Sequence, residues 1–253
     1  MGAELGPHLH IDGDSVVHRL PAHVKLVGLL TFVLLVVALP REAHMARLAL
    51  LGVALGVVLS TRVPLRHVAS RLVVEVPFVV FALVLPFVAT GPTTQLGPFT
   101  VSRDGVEAGI ALLLTATTSV LMAVAFATTT SSRDLVRALQ HLKVPDRLVQ
   151  ILAFMVRYLG VVGSQAQRMR VARESRAFTA RSVGSWPVIA SSAGALFIRS
   201  YERGERVHLA MMSRGYDGRM PVTDPMTARR ADWMRALLPA ALALVALTLV
   251  RLP

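Results

Sequence analysis

Two arginines, Arg176 and Arg214, recur in matching surroundings. Laying the chain over itself at a shift of 38 residues aligns Arg168 with Arg206, Ala172 with Ala210, Ser175 with Ser213, Arg176 with Arg214, Ala177 with Gly215 and Phe178 with Tyr216. The shared pattern is R-x3-A-x2-S-R-small-aromatic. Taken singly, Ser213-Arg214-Gly215 reads as a helix C-terminus: arginine in the last turn suits the negative end of the helix dipole, and Gly215 can take the left-handed conformation that closes the helix. A cap alone requires no matching alanine, aromatic or upstream arginine. A duplicated helix end implies a duplicated socket, and the simplest partner with two equivalent sockets is a dimer of homologous subunits related by a twofold axis. The cap and the socket are compatible readings.

Other chemistry is sparse. No G-x4-G-K-[ST] occurs, and Lys143 follows His141-Leu142 with no glycine loop, so a P-loop for ATP is absent. The G-x-G-x2-G, H-E-x2-H and G-x-S-x-G patterns are absent too, and no enzyme is expected. His8, His10 and Asp12 are spaced to share a metal in an extended segment, and histidine suits cobalt or nickel. An exposed tail often carries such residues without using them, so no metal site, catalytic residue or cofactor is assigned to this chain. Glu75 borders an apolar run, and pairing with Arg66 and Arg71 at the membrane edge is the expected arrangement.

These residues must be positioned by a chain whose composition is that of a membrane protein. Of its 253 residues 54% are hydrophobic and 17% charged, with a mean hydropathy of +0.58, a net charge of +12 and no cysteine. Soluble domains are nearer 25% charged, and the absence of cysteine excludes disulfides and thiolate metal sites. Charge avoids five stretches: Leu26 to Pro40, Leu48 to Thr61, Val76 to Ser102 (with a Gly91-Pro92 break), Ala108 to Ser132 and Ala236 to Val250. The first reaches spanning length if Lys25 snorkels to the interface. Five membrane helices are expected, with Leu148 to Val162 and Ser182 to Ile198 as further apolar stretches that would raise the count to seven. Gly52 and Gly56, and Gly105 and Gly109, form G-x3-G steps expected to serve internal helix packing. Hydroxyls at Thr115, Thr117, Thr118, Ser119 and residues 128–132 are expected to bond between helices.

Arg62, Arg66 and Arg71 crowd one loop, whereas the loop from Thr90 to Glu107 has Arg103 beside Asp104. The positive-inside rule then puts the N-terminus and residues 131–235 in the cytoplasm. From Ser131 to Arg235 there are 18 basic and 8 acidic residues, hence +10 of the total +12. The expected organisation is an all-α polytopic protein. A tail and four spans occupy residues 1–130, a basic cytoplasmic region of long helices occupies 131–235, and a last span occupies 236–253. Between Pro145 and Pro187 no proline interrupts a helix, and the next proline-free stretch runs from Val188 to Met220. No secretory signal is expected, because Glu4, Asp12 and Asp14 acidify the first twenty residues.

At the duplicated motif the chain resembles the transmembrane T component of energy-coupling factor (ECF) transporters, in the cobalt-type (CbiQ-like) branch. The coupling helices of that family end in short Ala-Arg-Gly-like motifs, which read here as Ser175-Arg176-Ala177 and Ser213-Arg214-Gly215. Serine replaces the first alanine in both, and Ala177 replaces one glycine. The stretch ERGERVHLAMMSRGYDG from Glu202 to Gly218, and the opening Asp14-Ser15, His18-Arg19-Leu20 and Lys25, carry the resemblance further. The resemblance implies that the long helices of residues 131–235 are crossing coupling helices. It implies a scaffold in a bacterial or archaeal plasma membrane, working with two ATPase subunits that bind the ATP and with a separate membrane subunit that captures cobalt. Each arginine would enter a groove on one ATPase and make charge-assisted hydrogen bonds to carboxylates or helix-end carbonyls. Phe178, Met211, Met212 and Tyr216 would fill the groove around it. The alternative is a membrane-anchored adaptor whose basic region binds anionic lipid or nucleic acid. It accounts for the +10 but not for a repeat of fixed spacing, and nucleic acid is not an expected partner.

Overall fold

The computed structural model describes residues 11, 13–96, 99–178, 183–218 and 227–251. His8, His10 and Asp12 lie outside them. The described chain is helical: α1 (Ala22–Val37), α2 (His44–Ser60), α3 (Leu65–Leu72), α4 (Val76–Val88), α5 (Arg103–Thr129), α6 (Ser132–His141), α7 (Asp146–Glu174), α8 (Trp186–Met212) and α9 (Arg230–Arg251), with one hairpin of β1 (Thr93–Leu96) and β2 (Phe99–Ser102) between α4 and α5. Two compact units emerge, Leu9–Ala138 with Met226–Pro253 and Leu139–Pro225.

In the first unit α5 is the hub, touching α1, α2, α3 and α4, while α9 lies along α1 and α2. Its apolar centre joins Phe32 and Val36 of α1, Leu50 and Ala54 of α2, Leu121 and Ala125 of α5, and Ala243 of α9. Helices approach closely where glycine omits a side chain. A Cβ on Gly28 would stand 2.5 Å from the Ala236 carbonyl oxygen, one on Gly105 2.5 Å from that of Leu85, and one on Gly109 2.8 Å from that of Ala82. The Gly105/Gly109 step thus seats α5 on α4. Gly52 and Gly56 meet nothing within 4 Å, so among the described residues that step is not a packing seam.

Among the described residues four helices are long and apolar enough to cross a membrane, Arg66–Val88, Arg103–Thr129, Asp146–Glu174 and Arg230–Arg251, with α1 and α2 as shorter apolar helices. Several boundaries differ from expectation. The third span closes at Val88 rather than continuing toward Ser102; Pro92 offers no N–H, and the residue before a proline is disfavoured in helical conformation. It gains length at its other end, where α3, a 3-10 turn at Val73–Glu75 and α4 run on as one span. Thr93–Leu96 and Phe99–Ser102 pair antiparallel instead, Thr93 opposite Ser102 and Leu96 opposite Phe99. Helix α5 starts at Arg103, where the Ser102 hydroxyl accepts the Gly105 N–H at 3.4 Å.

Polar groups in this unit are spent on helix ends. Lys25 does not snorkel outward. It is buried, and its Nζ donates to the carbonyl of Thr129, the last residue of α5, at 2.7 Å. An orphan helix-end carbonyl is the acceptor a cation favours. Arg47, only 4% exposed, donates to the carbonyls of Leu39, Pro40 and Arg41 at 2.9, 2.8 and 3.0 Å and to Thr115 Oγ1 at 3.1 Å. One fork thereby closes the end of α1 and ties it to α5. Glu75 likewise departs from expectation. It is buried, and Oε2 accepts from Thr117 Oγ1 at 3.3 Å; neither Arg66 nor Arg71 pairs with it. The hydroxyl series therefore bonds between helices at Thr115 and Thr117, whereas Thr128 and Thr129 turn back on carbonyls of their own helix.

The second unit contains α7 and α8, which touch each other, with a 3-10 turn at Val183–Ser185 before α8. Each helix is apolar early and charged late, and Val149 at the root of α7 is its one buried residue.

Candidate functional site

The two motifs fall where the repeat predicts, immediately beyond the last residues of α7 and α8, and their backbones are bonded identically. In the first, Ser175 N donates to Val171 O at 2.9 Å, Arg176 N to Arg173 O at 3.0 Å, Ala177 N to Glu174 O at 3.1 Å and Phe178 N to Arg173 O at 3.2 Å. In the second, Ser213 N donates to Leu209 O at 3.0 Å, Arg214 N to Met211 O at 3.0 Å, Gly215 N to Met212 O at 3.0 Å and Tyr216 N to Met211 O at 3.1 Å. Every donor and acceptor is displaced by the same 38 residues. Even the serine side chains correspond, Ser175 Oγ donating to Ala172 O at 3.1 Å and Ser213 Oγ to Ala210 O at 3.0 Å.

The pattern is a Schellman closure. A residue in the left-handed region follows the arginine, and the next N–H reaches back to the fifth carbonyl before it. Ala177 takes φ 58° and Gly215 φ 81°. A glycine adopts this at little cost, while an alanine does so against its Cβ. The serine hydroxyls take up further carbonyls of the final turn. With the backbone so occupied, each helix stops at one residue and holds the arginine at its very end.

Arg176 and Arg214 are both exposed, and neither guanidinium has a hydrogen-bond or ion-pair partner among the described residues. The charges near them are engaged: Arg170 Nε bonds Glu174 Oε1 at 2.7 Å in α7, and Arg206 lies 3.9 Å from Glu202 in α8. What remains at each tip is an uncommitted five-donor fork. Beside it stand Phe178 and Tyr216, half-buried, with Met212 54% exposed and Met211 half-buried. No bond joins one motif to the other. An exposed cationic tip with an aromatic and flexible thioethers around it is suited to entering a groove that offers carboxylates or helix-end carbonyls.

One participant gave no sign in the sequence. Gln150, in the first turns of α7, accepts from the Tyr216 hydroxyl at Oε1 and donates from Nε2 to the Gly218 carbonyl at 2.7 Å. It sits in no motif, and its partners lie 66 and 68 residues away. Among the described residues no group of three or more histidine, aspartate or glutamate side chains is placed to hold a metal ion.

Comparison with known proteins finds relatives over much of the chain. An uncharacterized protein of Methanocaldococcus jannaschii is 34% identical over 120 residues, covering 47% of this chain and 45% of that one, so the chain spans less than half of that relative's length. The energy-coupling factor transporter transmembrane protein EcfT of Bacillus subtilis is 29% identical over 224 residues, 83% of each chain. The cobalt transport protein CbiQ of Rhodobacter capsulatus is 28% identical over 169 residues, 65% of this chain and 66% of that one. Residues 13–223, both motifs included, match the family described as cobalt transport protein, and the chain therefore belongs to the CbiQ family.

Proposed function

We propose that this chain is the transmembrane component of an ECF-type importer for cobalt ions, a scaffold with no catalytic site of its own. The observation that carries the reading is the pair of helix ends with identical bonding, each presenting an exposed arginine that has no partner among the described residues. Two equal tips call for two equal sockets. The partners are two ATPase subunits, one gripping Ser175-Arg176-Ala177 and the other Ser213-Arg214-Gly215, and a separate membrane subunit that captures the ion. ATP is bound by the ATPases. Their opening and closing moves the tips, and the scaffold passes that motion to the capture subunit.

In this reading residues 131–235 form the coupling region, residues 1–130 and 236–253 the membrane part, and the N-terminus and tips face the cytoplasm of a bacterial or archaeal cell. Helix α7 belongs to the coupling region although its first half is largely apolar, because Arg157 interrupts that half and Arg168, Arg170, Arg173 and Glu174 fill the second.

The test is to replace Arg176 and Arg214 with glutamate, singly and together, in the chain co-expressed with its ATPases and capture subunit. Co-purification of the ATPases and cobalt uptake should fall in each single variant and be nearly abolished in the double. If the double variant kept its ATPases and transported normally, docking through these arginines would be excluded.

A further inference from the structure

The two tips match in every backbone bond, yet one side-chain interaction breaks the symmetry. Tyr216 occupies the place of Phe178 and adds a hydroxyl. That hydroxyl bonds Gln150 Oε1, and Gln150 Nε2 bonds the carbonyl of Gly218 two residues farther on. The Gly218 carbonyl can only accept, so the amide must turn its nitrogen that way, which leaves its oxygen for the phenol proton. Both ends of one amide are thus used on the segment that follows Arg214. Gly218 takes φ 96°, a left-handed turn that a side chain would resist. Gln150 itself lies next to Val149, the buried residue that anchors the root of α7. Phenylalanine at 178 has no group that can make the equivalent bond.

We infer that Gln150 is a positioning residue that braces the Arg214 tip against the root of α7, so that two tips with the same local fold are mechanically unequal. Displacement of Arg214 is delivered to the root of α7 as well as along α8. Displacement of Arg176 reaches α7 through the far end of that helix. The inference rests on the docking reading above, and it assigns the two sockets different tasks: one meets a tip tied to both long helices, the other a tip tied to one.

The experiment uses the complete complex with Tyr216→Phe and Gln150→Leu, singly and combined. With Gln150→Leu the ATPases should co-purify as with the parent chain, while cobalt taken up per ATP hydrolysed falls severalfold in each single variant and no further in the double. Because the chain has no cysteine, nitroxide labels at Leu209→Cys and at its counterpart Val171→Cys report on each tip separately. The brace predicts that the label at 209 gains motion in both variants and the label at 171 does not. Unchanged coupling with an unchanged spectrum at 209 would overturn the inference, and so would equal loosening at both labels with loss of assembly, since that marks general scaffolding. Failure of the docking reading is seen separately, as ATPases retained by the double glutamate variant.

Discussion

Ala177 and Gly215 hold the same left-handed backbone position at the ends of α7 and α8, one at φ 58° and the other at φ 81°. The geometry of the closure is thus kept where the residue best suited to it is not. The left-handed conformation costs an alanine about 1 kcal/mol relative to glycine. Ala177→Gly should therefore raise stability in detergent by up to about that amount, and Gly215→Ala should lower it similarly. Thermal unfolding of the two variants beside the parent chain checks this. An unchanged midpoint for Gly215→Ala would mean that the second tip does not depend on the closure.

The glycine steps make a paired prediction. Gly109→Leu drives a side chain into the Ala82 carbonyl, whereas Gly56→Leu enters space with nothing within 4 Å. The first should part α4 from α5 and cost several kcal/mol, as overpacking of a tight helix contact does. The second should stay within about 0.5 kcal/mol. Yield and monodispersity of the purified variants separate the two cases, and a damaging Gly56→Leu would reveal a packing role for that step.

Glu75 accepts one hydrogen bond, from Thr117, and its Oε1 is buried without a partner. A carboxylate so placed is a poor tenant of an apolar interior. Glu75→Gln keeps the acceptor for Thr117 and removes the charge, so its unfolding temperature should match or exceed that of the parent. A clear fall would show that the carboxylate serves through its charge.

Salt distinguishes the proposed scaffold from a lipid- or nucleic-acid-binding adaptor. A protein with about six to ten phosphate contacts loses about 10³- to 10⁵-fold in affinity between about 50 and 200 mM salt. Tips whose Phe178, Met211, Met212 and Tyr216 fill the ATPase grooves should keep their ATPases over that range. Dissociation of the complex across it would argue for a predominantly electrostatic surface.

Much of this molecule was legible in its sequence, for a reason that also sets the limit. Charge is excluded from lipid-facing helices, so α2, α5 and α9 show in the spacing of arginines, and a duplicated motif shows as a repeat. Side chains that act across the chain leave no such trace. Lys25 reads as an interfacial lysine until Thr129 is seen beside it, and Arg47 reads as the boundary of an apolar run until the three carbonyls are counted. The end of α4 at Val88 was signalled by Gly91-Pro92, but a hairpin after it rests on pairing between strands rather than on local composition. Gln150 is the extreme case, since its role exists only through Tyr216 and Gly218.

Arg47→Leu should be the most damaging of the single changes in the membrane unit. It takes the donor from three carbonyls, of which that of Pro40 keeps the Ala43 N–H at 3.1 Å while those of Leu39 and Arg41 have no other partner among the described residues, and each carbonyl left bare costs about 1–3 kcal/mol. Arg62→Ala, an exposed change just past the other end of α2, should be close to neutral. Folded yield in mild detergent measures both, and equal yields would show that the carbonyls find water or lipid partners.

The clamp formed by Arg47 also bears on how the chain enters a bilayer. Helices of 16 and 17 residues extend about 24 and 26 Å, short of a hydrocarbon core of about 30 Å, and three carbonyls just past the end of the first accept from one guanidinium of the second. Nascent chains cut before and after residue 47 should accordingly differ in resistance to alkaline extraction from membranes. During synthesis α1 is not a finished transmembrane segment when it emerges; the smallest piece that the lipid can take up is the hairpin, and its two arms must be threaded together.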